Sequence, residues 1–484
     1  MKILFFTGFS GFTQRTNNIA YLIKEKYPNF LISKLVYGKK NFQFLLKQTR
    51  VSYHKIECIE DIIQNIYSKN NVKFSDSRIK YLEEKVGVNL NYLAFAERTL
   101  VQHTHEQTYQ KKLSQDEIVK HVCLMASFLE EYVKKNDVII AYTCASLVSE
   151  LLFYFSKYYK KKFLTFNETR LDYRWSILGN NMDQHDEISK YYRSKPISKE
   201  GRIIINKFIK DLKSNKKNSI EANYQKSIID LKKLNIKNIV RFIRNLILND
   251  KDNYHHLSPT RWQRIKINII VRLRLLLENI YLENKLPKEK YAYYPLSLIP
   301  EASVLIRGQK YYDTISIIKS ISRELPLNYK LVVREHPSMA GKNSLKIYNQ
   351  LKNIHNVHLM SYRYPSLECI KNAEAVITIT GSTGLESISL GKKTLLLGKA
   401  IYSIIDSVFK INNFEEIYDV IRRPWKSSDK TRQINELYKF GSAVVSEYHF
   451  RDDEKSLWTT KAQTHDIIKI DRDIFKSLIR KILK

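Results

Sequence analysis

The chain has 484 residues, and its 82 lysines and arginines outnumber its 49 aspartates and glutamates to give a formal net charge of +33. Hydrophobic residues form 43% of the chain and charged residues 27%, which is the composition of a folded globular protein rather than a disordered one. This length predicts two or three domains, and the chain contains no uninterrupted apolar stretch of the roughly 18 residues that a membrane span requires.

The start of the chain and its cysteines favour a reducing compartment. The apolar segment Ile3–Phe6 is too short for the core of a signal peptide. The four cysteines lack the spacing of metal ligands and are typical of reduced thiols: Cys58, Cys123, Cys144 and Cys369. We therefore expect a cytoplasmic protein.

The positive charge predicts an anionic partner. Nucleic acid, an anionic membrane face and a negatively charged substrate are all compatible with such a potential. The chain has no zinc finger, no aromatic RNA-binding motif and no short basic arm, so we expect no nucleic acid. An anionic membrane face is favoured, because it attracts dispersed lysines and arginines without a sequence motif.

Residues 1–176 alternate between strand and helix patterns. Strands are predicted at Lys2–Phe6, Phe30–Tyr37, Asp137–Tyr142 and Phe163–Phe166. Helices are predicted at Asn17–Tyr27, at Leu147–Tyr158, and from a capping box at Ser114–Glu117 to Asn136. Because strands that alternate with helices form parallel βαβ units, this region is predicted to be a doubly wound α/β domain.

Strand patterns vanish in residues 177–290, which are predicted to form a lysine-rich helical linker or insert. Its segment Arg261–Leu282 mixes isoleucine, valine and leucine with four arginines. Two interpretations stay open for this segment. It is either a basic helix that lies on a membrane surface or a helix that links the domains and packs its apolar side against a core.

A second alternation spans residues 291–413. Strands are predicted at Tyr291–Tyr294, Lys330–Val333, Val357–Met360, Ala375–Thr380 and Thr394–Leu397. Helices are predicted at Asp313–Arg323, Asn343–Lys352, Ser366–Asn372 and Leu385–Leu390. The pattern predicts a second doubly wound domain, followed by a helical tail over residues 414–484. Two such domains that face each other would form a cleft between the carboxyl ends of their strands, where ligands of open α/β sheets bind.

The sequence Arg334-Glu-His336-Pro337 directly follows a predicted strand of the second domain. Pro337 ends the strand and fixes the turn, so Arg334 and His336 are expected near the cleft. A guanidinium fork and an imidazole N–H are suitable donors for a phosphate. A histidine at such a position can equally be structural.

A second motif, Gly381-Ser382-Thr383-Gly384, joins the strand Ala375–Thr380 to a helix. Glycines let the backbone approach a ligand, and the hydroxyls and the helix's first N–H groups form an anion site. Glu386, in the first turn, could accept hydrogen bonds from sugar hydroxyls. The alternative is an ordinary N-cap by Ser382 or Thr383, with Glu386 favouring the helix dipole. Glu301, after the domain's first strand, is either a ligand carboxylate or part of a helix start.

Residues 291–402 resemble the capsule polysaccharide biosynthesis family. The resemblance is carried by "YAYYPLSLIPEASVLIRG", "LVVREHPSMAG" and "AEAVITITGSTGLESISLGKKTLLLGKAIY". It is looser over residues 1–176, where it depends on "YLEEKVGVNLNYLAFAERTL" and "FLTFNETRLDYRW". The resemblance implies two Rossmann-like domains in the GT-B arrangement and transfer of Kdo or a related nonulosonic sugar from a CMP donor. It also implies that His336, Pro337, Ser382 and Thr383 hold the CMP.

A catalytic carboxylate is expected from the first domain, across the cleft. Glu168 is the leading candidate because it follows the strand Phe163–Phe166, and Asp172 is close to it in sequence. Glu97 is the second choice, although a surface ion pair with the adjacent arginine is an equal alternative. The carboxylate would act as a nucleophile or as a general base.

The turn after the first strand predicts the acceptor side of the cleft. Gly8, Ser10 and Gly11 either line the acceptor site or only turn the chain, and they do not form a dinucleotide-binding glycine motif. No cofactor or metal is expected, and His103 and His105 are interpreted as solvated.

The sequence thus predicts a glycosyltransferase that moves a nonulosonic sugar from CMP to a surface polysaccharide or glycolipid at the inner face of the membrane. The alternatives are a UDP-sugar transferase or 2-epimerase of the same fold, and a non-catalytic capsule assembly or export protein. The tail segment Ile467–Leu483 has apolar residues at every fourth position, which predicts either a membrane contact or packing against the domains.

Overall fold

A computed structural model describes residues 1–8, 10–68, 74–97, 113–181, 185–214, 261–299, 301–452 and 467–483. The strands of the first sheet are β1 (Lys2–Thr7), β2 (Leu31–Val36), β3 (Lys55–Cys58), β4 (Val138–Ala141), β5 (Lys162–Glu168), β6 (Arg174–Leu178) and β13 (Phe450–Arg451). Those of the second sheet are β7 (Lys290–Pro295), β8 (Tyr329–Arg334), β9 (Val357–Met360), β10 (Ala375–Thr378), β11 (Lys393–Leu396) and β12 (Val408–Lys410).

Helices cover both sheets. Those before residue 215 are α1 (Ser10–Lys26), α2 (Lys39–Lys47), α3 (Ile59–Ser68), α4 (Asp76–Val86), α5 (Leu90–Phe95), α6 (Gln115–Lys135), α7 (Leu147–Tyr158), α8 (Asp186–Ser194) and α9 (Lys199–Lys213). The later ones are α10 (Arg261–Leu277), α11 (Ala302–Leu305), α12 (Thr314–Arg323), α13 (Leu345–Lys352), α14 (Ser366–Asn372), α15 (Ser382–Ser389), α16 (Glu416–Arg422), α17 (Ser427–Glu447) and α18 (Lys469–Leu483). Short 3₁₀ turns lie at Glu278–Ile280, Gln309–Tyr311, Pro337–Met339 and Ile401–Ile404.

The first sheet has the order β13-β6-β5-β4-β1-β2-β3. Strands β1 to β5 run parallel, and β6 and β13 add an antiparallel edge. The strand order reverses between β1 and β4, where a crevice opens at the carboxyl edge. The capping box that starts α6 is confirmed, since Ser114 Oγ accepts from the Glu117 N–H and the Glu117 carboxylate accepts from the Ser114 N–H.

The second sheet is parallel throughout and has the order β12-β11-β10-β7-β8-β9. Numbered within the domain this is 6-5-4-1-2-3, the strand order of a Rossmann fold. The two predicted Rossmann-like domains are therefore confirmed. The switch point of the second domain lies between β7 and β10.

Two short strands from later in the chain, β6 and β13, extend the first sheet. The predicted boundary between residues 176 and 177 falls inside β6, which pairs with β5 and with β13 near the chain's end. Sequence patterns missed β6 because it is antiparallel and is completed by residues far along the chain. Helix α17 then packs on α9, where a Cβ added to Gly201 would lie 2.1 Å from the Ser442 hydroxyl.

The tail helix α18 packs on α1 of the first domain. Its regularly spaced residues Ile470, Ile474, Leu478 and Ile482 are all buried. The Asp471 carboxylate, also buried, accepts from Arg15 at 2.8 Å and from Asn18 at 3.0 Å. The prediction that this helix contacts the membrane through its apolar side is therefore wrong, because that side completes a core of the first domain.

Candidate functional site

The His-Pro motif lies at the carboxyl edge of the second sheet, directly after β8. His336 caps the 3₁₀ turn that Pro337 begins, and its Nδ1 accepts from the Ser338 N–H at 3.1 Å. Pro337 and Met339 are buried, while His336 is half-buried. The proline fixes the backbone at the start of this turn and holds the imidazole at the edge of the sheet.

These contacts determine the protonation of His336. Burial lowers the pKa of the imidazole below its usual value of 6.5, and the positive charges of Arg334 and Lys342 act in the same direction. Because Nδ1 accepts a hydrogen bond, the proton of the neutral ring belongs on Nε2. His336 thus offers an uncharged N–H donor at neutral pH.

Arg334 has a structural role in this edge. Its side chain is 5% exposed, and Nε and Nη2 donate to the carbonyls of Tyr364 and Tyr362, each at 2.8 Å. The guanidinium therefore ties β8 to the turn after β9, and these contacts lend no support to the prediction that it binds a phosphate. Glu335 is also engaged within the second domain, since its carboxylate accepts hydrogen bonds from Asn343 and Tyr348, each at 2.7 Å.

The Gly381–Gly384 turn follows β10 and begins helix α15. The N-cap of this helix is Gly381, and Ser382 and Thr383 are its first two helical residues. The alternative that Ser382 or Thr383 caps the helix is therefore wrong. Ser382 is exposed and Thr383 half-buried in the first turn of the helix. Gly384 is needed because Tyr402 packs against it, and an added Cβ would lie 2.3 Å from the phenol oxygen. The Tyr402 hydroxyl donates to the Gly381 carbonyl at 2.5 Å.

The two motifs lie at the same edge on either side of β7. Strands β8 and β10 each pair with β7, so their ends are about 10 Å apart at the ordinary strand spacing. The charge of Glu386 raises the pKa of Arg334 against the effect of burial, and it raises the pKa of Tyr402 together with burial, so this carboxylate acts on residues at both motifs. Glu301 is exposed, and its charge favours protonated His336. Both motifs thus lie at the carboxyl edge of one sheet.

The turn between β5 and β6 reaches this edge from the first domain. Leu171 is fully buried in a cluster that includes Leu385 and Ile388 of α15. The charge of Arg170 acts on Tyr402, the residue that holds Gly381. Glu168, the last residue of β5, is exposed three residues before this anchor.

The backbone of the same turn is strained. Arg170, Asp172 and Tyr173 have φ angles of 63°, 50° and 56°, a region that residues other than glycine rarely adopt. Such conformations persist only where the surrounding contacts impose them, and they are concentrated at functional sites. Here Leu171 and the Asp172 carboxylate supply those contacts.

Asp172 holds the turn through ion pairs. Its carboxylate lies 3.0 Å from Arg451, 3.2 Å from Lys207 and 3.5 Å from Arg174. These cations belong to β13, α9 and β6, so the carboxylate ties three elements together. Because its carboxylate is engaged by three cations, these contacts do not favour the predicted catalytic role of Asp172.

The predicted acceptor residues lie at the switch point of the first domain. Gly8 follows β1, and an added Cβ would lie 3.3 Å from the Tyr142 ring, which follows β4. Gly11 is buried in the first turn of α1, which begins at Ser10. Glu97 is 9% exposed, and its charge raises the pKa of Tyr37 at this edge. Because Tyr37 Cβ lies 3.7 Å from a Cβ added to Gly8, Glu97 acts on a residue that borders the turn after β1.

Sequence reasoning missed Glu150, in the first turn of α7 after β4. Its side chain is fully buried, Oε2 accepts from Asn181 at 2.7 Å, and Oε1 has no hydrogen-bond partner among the residues that the structure describes. Burial raises the pKa of this carboxyl to about 7, partly offset by the Asn181 bond and by the charge of Arg307 from the second domain. Arg307 also donates to Asn167 on β5 at 3.4 Å. An acidic residue within the apolar pattern of α7 was the available signal.

We expect the Glu150→Gln variant to flatten the pH dependence of stability. A folded-state pKa of about 7, above the ordinary 4.5, means that folding takes up a proton between these values, so stability falls as pH rises through this window. The difference corresponds to about 3 kcal/mol, and the variant should lose most of this slope in urea unfolding measured from pH 5 to 8. The exposed Glu289→Gln serves as control, and an unchanged slope in Glu150→Gln would contradict the assignment.

No helix in the described ranges has the length and hydropathy of a membrane span. Within the same ranges, no three histidine, cysteine or acidic side chains are grouped as metal ligands. His103 and His105 lie outside the described residues.

Residues 203–406 match the model of the family described as capsule polysaccharide biosynthesis protein. Among curated proteins, protein FixF of Sinorhizobium fredii is 34% identical over 67 residues. That alignment covers 14% of this chain and only 17% of FixF.

Solved structures resemble the chain weakly. A KpsC β-Kdo 2,7-transferase structure from Thermosulfurimonas dismutans is 13% identical, with 76% of this chain and 91% of that chain covered and a TM-score of 0.30. UDP-GlcNAc 2-epimerase of Neisseria meningitidis bound to UDP-GlcNAc is 12% identical, with 92% and 98% covered and a TM-score of 0.23. Anabaena HepE in complex with UDP-glucose is 11% identical, with 99% and 100% covered and a TM-score of 0.28.

Proposed function

We propose that the protein is a glycosyltransferase that moves a nonulosonic sugar from a CMP donor to a surface glycan or glycolipid, and the match of residues 203–406 to the capsule polysaccharide biosynthesis family supports this proposal. One observation carries the proposal. His336 and the Gly381–Gly384 turn flank the switch point of a Rossmann-ordered sheet, where an open α/β sheet binds its ligand.

The donor phosphate would be held by neutral donors and a helix N-terminus. His336 offers Nε2–H, and the first turn of α15 offers backbone N–H groups with the hydroxyls of Ser382 and Thr383. Glu386 and Glu301 would accept hydrogen bonds from hydroxyls of the nucleoside or the sugar. In this proposal these fixed donors, rather than a metal ion or another cofactor, stabilise the charge that develops on the leaving CMP.

The transfer breaks the bond between the anomeric carbon and the CMP oxygen and forms a bond to an acceptor oxygen. Glu168 would either take the proton of the acceptor hydroxyl or attack the anomeric carbon itself. Two observations support a position of Glu168 near the donor edge: Leu171 packs with Leu385 and Ile388 of α15, and the charge of Arg170 acts on Tyr402. The acceptor would enter from the edge formed by Gly8, Ser10, Gly11 and Glu97. Since acceptors of this kind are attached to lipids, we place the reaction at an anionic membrane surface.

A nucleotide titration tests the donor assignment. We expect CMP to raise the melting temperature of the intact protein and UDP to leave it unchanged, with the CMP effect lost in Ser382→Ala/Thr383→Val. Ser389→Ala, at the far end of α15, is the matched control. Stabilisation by UDP alone would replace the CMP donor with a UDP-sugar enzyme. Binding of neither nucleotide would favour a non-catalytic assembly protein.

A further inference from the structure

Helix α10 exposes an apolar stripe on the side opposite to the one that packs. Its inner side carries Val271 and Leu275, which lie against Gly341, and Leu275 is 1% exposed. The opposite stripe continues into the following 3₁₀ turn. Its large side chains and their exposed fractions are Trp262 (80%), Ile269 (53%), Leu273 (54%), Leu276 (62%) and Ile280 (64%).

The spacing of this stripe is that of one helix face. Successive members are three, four or seven residues apart, so at about 100° per residue they fall within a narrow band. A single exposed leucine needs no explanation, but a row of five large apolar side chains marks an interaction surface. The interpretation of this segment as a linking helix with a packed apolar side is thus correct for one side only.

The charges around the stripe identify its partner. Residues Arg261–Leu277 include five lysines and arginines and no acidic residue. Lys266 is exposed beside the stripe. At its far end, Lys352 donates to the Ile280 carbonyl at 3.0 Å, and Arg363 donates to Asn279 at 2.5 Å. An apolar face bordered by cations complements a lipid surface with anionic head groups.

We propose that the stripe formed by Trp262, Ile269, Leu273, Leu276 and Ile280, which we call the α10 stripe, docks the protein on an anionic membrane. The apolar side chains enter the boundary between head groups and acyl chains, and the surrounding cations bind the head groups. The role of this surface in catalysis rests on the proposed function, because it would bring the cleft to a lipid-attached acceptor. Binding to the membrane itself depends only on the α10 stripe.

Vesicle cosedimentation of the full chain tests the proposal. We expect binding to vesicles of phosphatidylcholine and phosphatidylglycerol, weak binding to phosphatidylcholine alone, and a blue shift of Trp262 emission on binding. The double variant Leu273→Glu/Leu276→Glu should bind the anionic vesicles at least about tenfold more weakly, because it replaces buried apolar contacts with charge. Leu327→Glu, at a leucine that is 95% exposed elsewhere in the second domain, should bind normally.

Three outcomes would overturn the proposal. Equal vesicle binding by the double variant and the unaltered protein would assign membrane contact to another surface. A concentration-dependent dimer that the double variant abolishes, without vesicle binding, would show that a second copy covers the stripe. If Leu327→Glu lost vesicle binding to the same extent, the weaker binding of the double variant would be due to its net charge and not to the α10 stripe.

The same samples separate this proposal from the proposed function. Thermal unfolding of the double variant checks its fold, and CMP should still raise its melting temperature. Vesicle binding without any change of melting temperature on addition of CMP would refute the assignment of CMP as the donor nucleotide, but it would support the proposed membrane-docking surface.

Discussion

Replacement of Glu168 by glutamine is expected to lower the rate of sugar transfer by about 10²- to 10⁴-fold, the range for loss of a general acid or base. Donor affinity should be unchanged, because Glu168 lies on the first domain and the phosphate donors lie on the second. We therefore expect kcat to fall while the KM for the donor stays unchanged. Steady-state kinetics with a CMP-activated sugar and CMP binding by calorimetry measure the two quantities.

The matched control is Glu200→Gln. Glu200 accepts from Arg174, beside the same turn, at 2.7 Å but lies on α9 and is exposed. Full activity in Glu168→Gln together with a loss of activity in Glu97→Gln would assign the catalytic role to Glu97 instead of Glu168. Asp172→Asn is expected to lower the melting temperature instead, because three cations lose their counterion.

Replacement of His336 by alanine is expected to weaken CMP binding by about 10- to 100-fold, which is the loss of one or two strong hydrogen bonds to a phosphate. His336→Gln should recover part of the affinity, because a side-chain amide also donates an N–H. The control is His355→Ala, an exposed histidine of the same domain. Equal affinity in the alanine variant and the unaltered protein would contradict the donor assignment.

The pH dependence of CMP binding gives an independent check on His336. Burial lowers the pKa of this imidazole, so the folded state favours the neutral ring. The folded state is therefore most stable, with respect to this group, at high pH. This part of the free energy of unfolding is lost as the pH falls from the ordinary histidine pKa of 6.5 to the lowered pKa of His336. CMP affinity should be flat from pH 7 to 8.5, and protonation at lower pH should displace the Ser338 N–H from Nδ1.

The sequence predicted the parallel core of both domains because buried parallel strands are continuous apolar runs between amphipathic helices. Val357–Met360, Leu147–Tyr158 and Ser366–Asn372 have the predicted bounds. Strands β3, β12 and β13 were missed, since they have two to four residues and carry no continuous apolar run. The start of α15 was placed three residues late, because the helix begins within the Ser-Thr-Gly segment that the sequence indicated as a loop.

Local sequence determined which residues end the strands of the second domain, and with them His336 and the Gly381–Gly384 turn, because a strand's length and its turn depend on neighbours in the chain. Contacts between distant segments decided the rest. Arg334 is occupied by carbonyls of a later turn, α18 is buried on α1, Glu150 faces a charge from the other domain, and α10 keeps an apolar side exposed. Periodicity states that a helix has an apolar side, but only the packing of the whole chain determines which side is covered and what covers it.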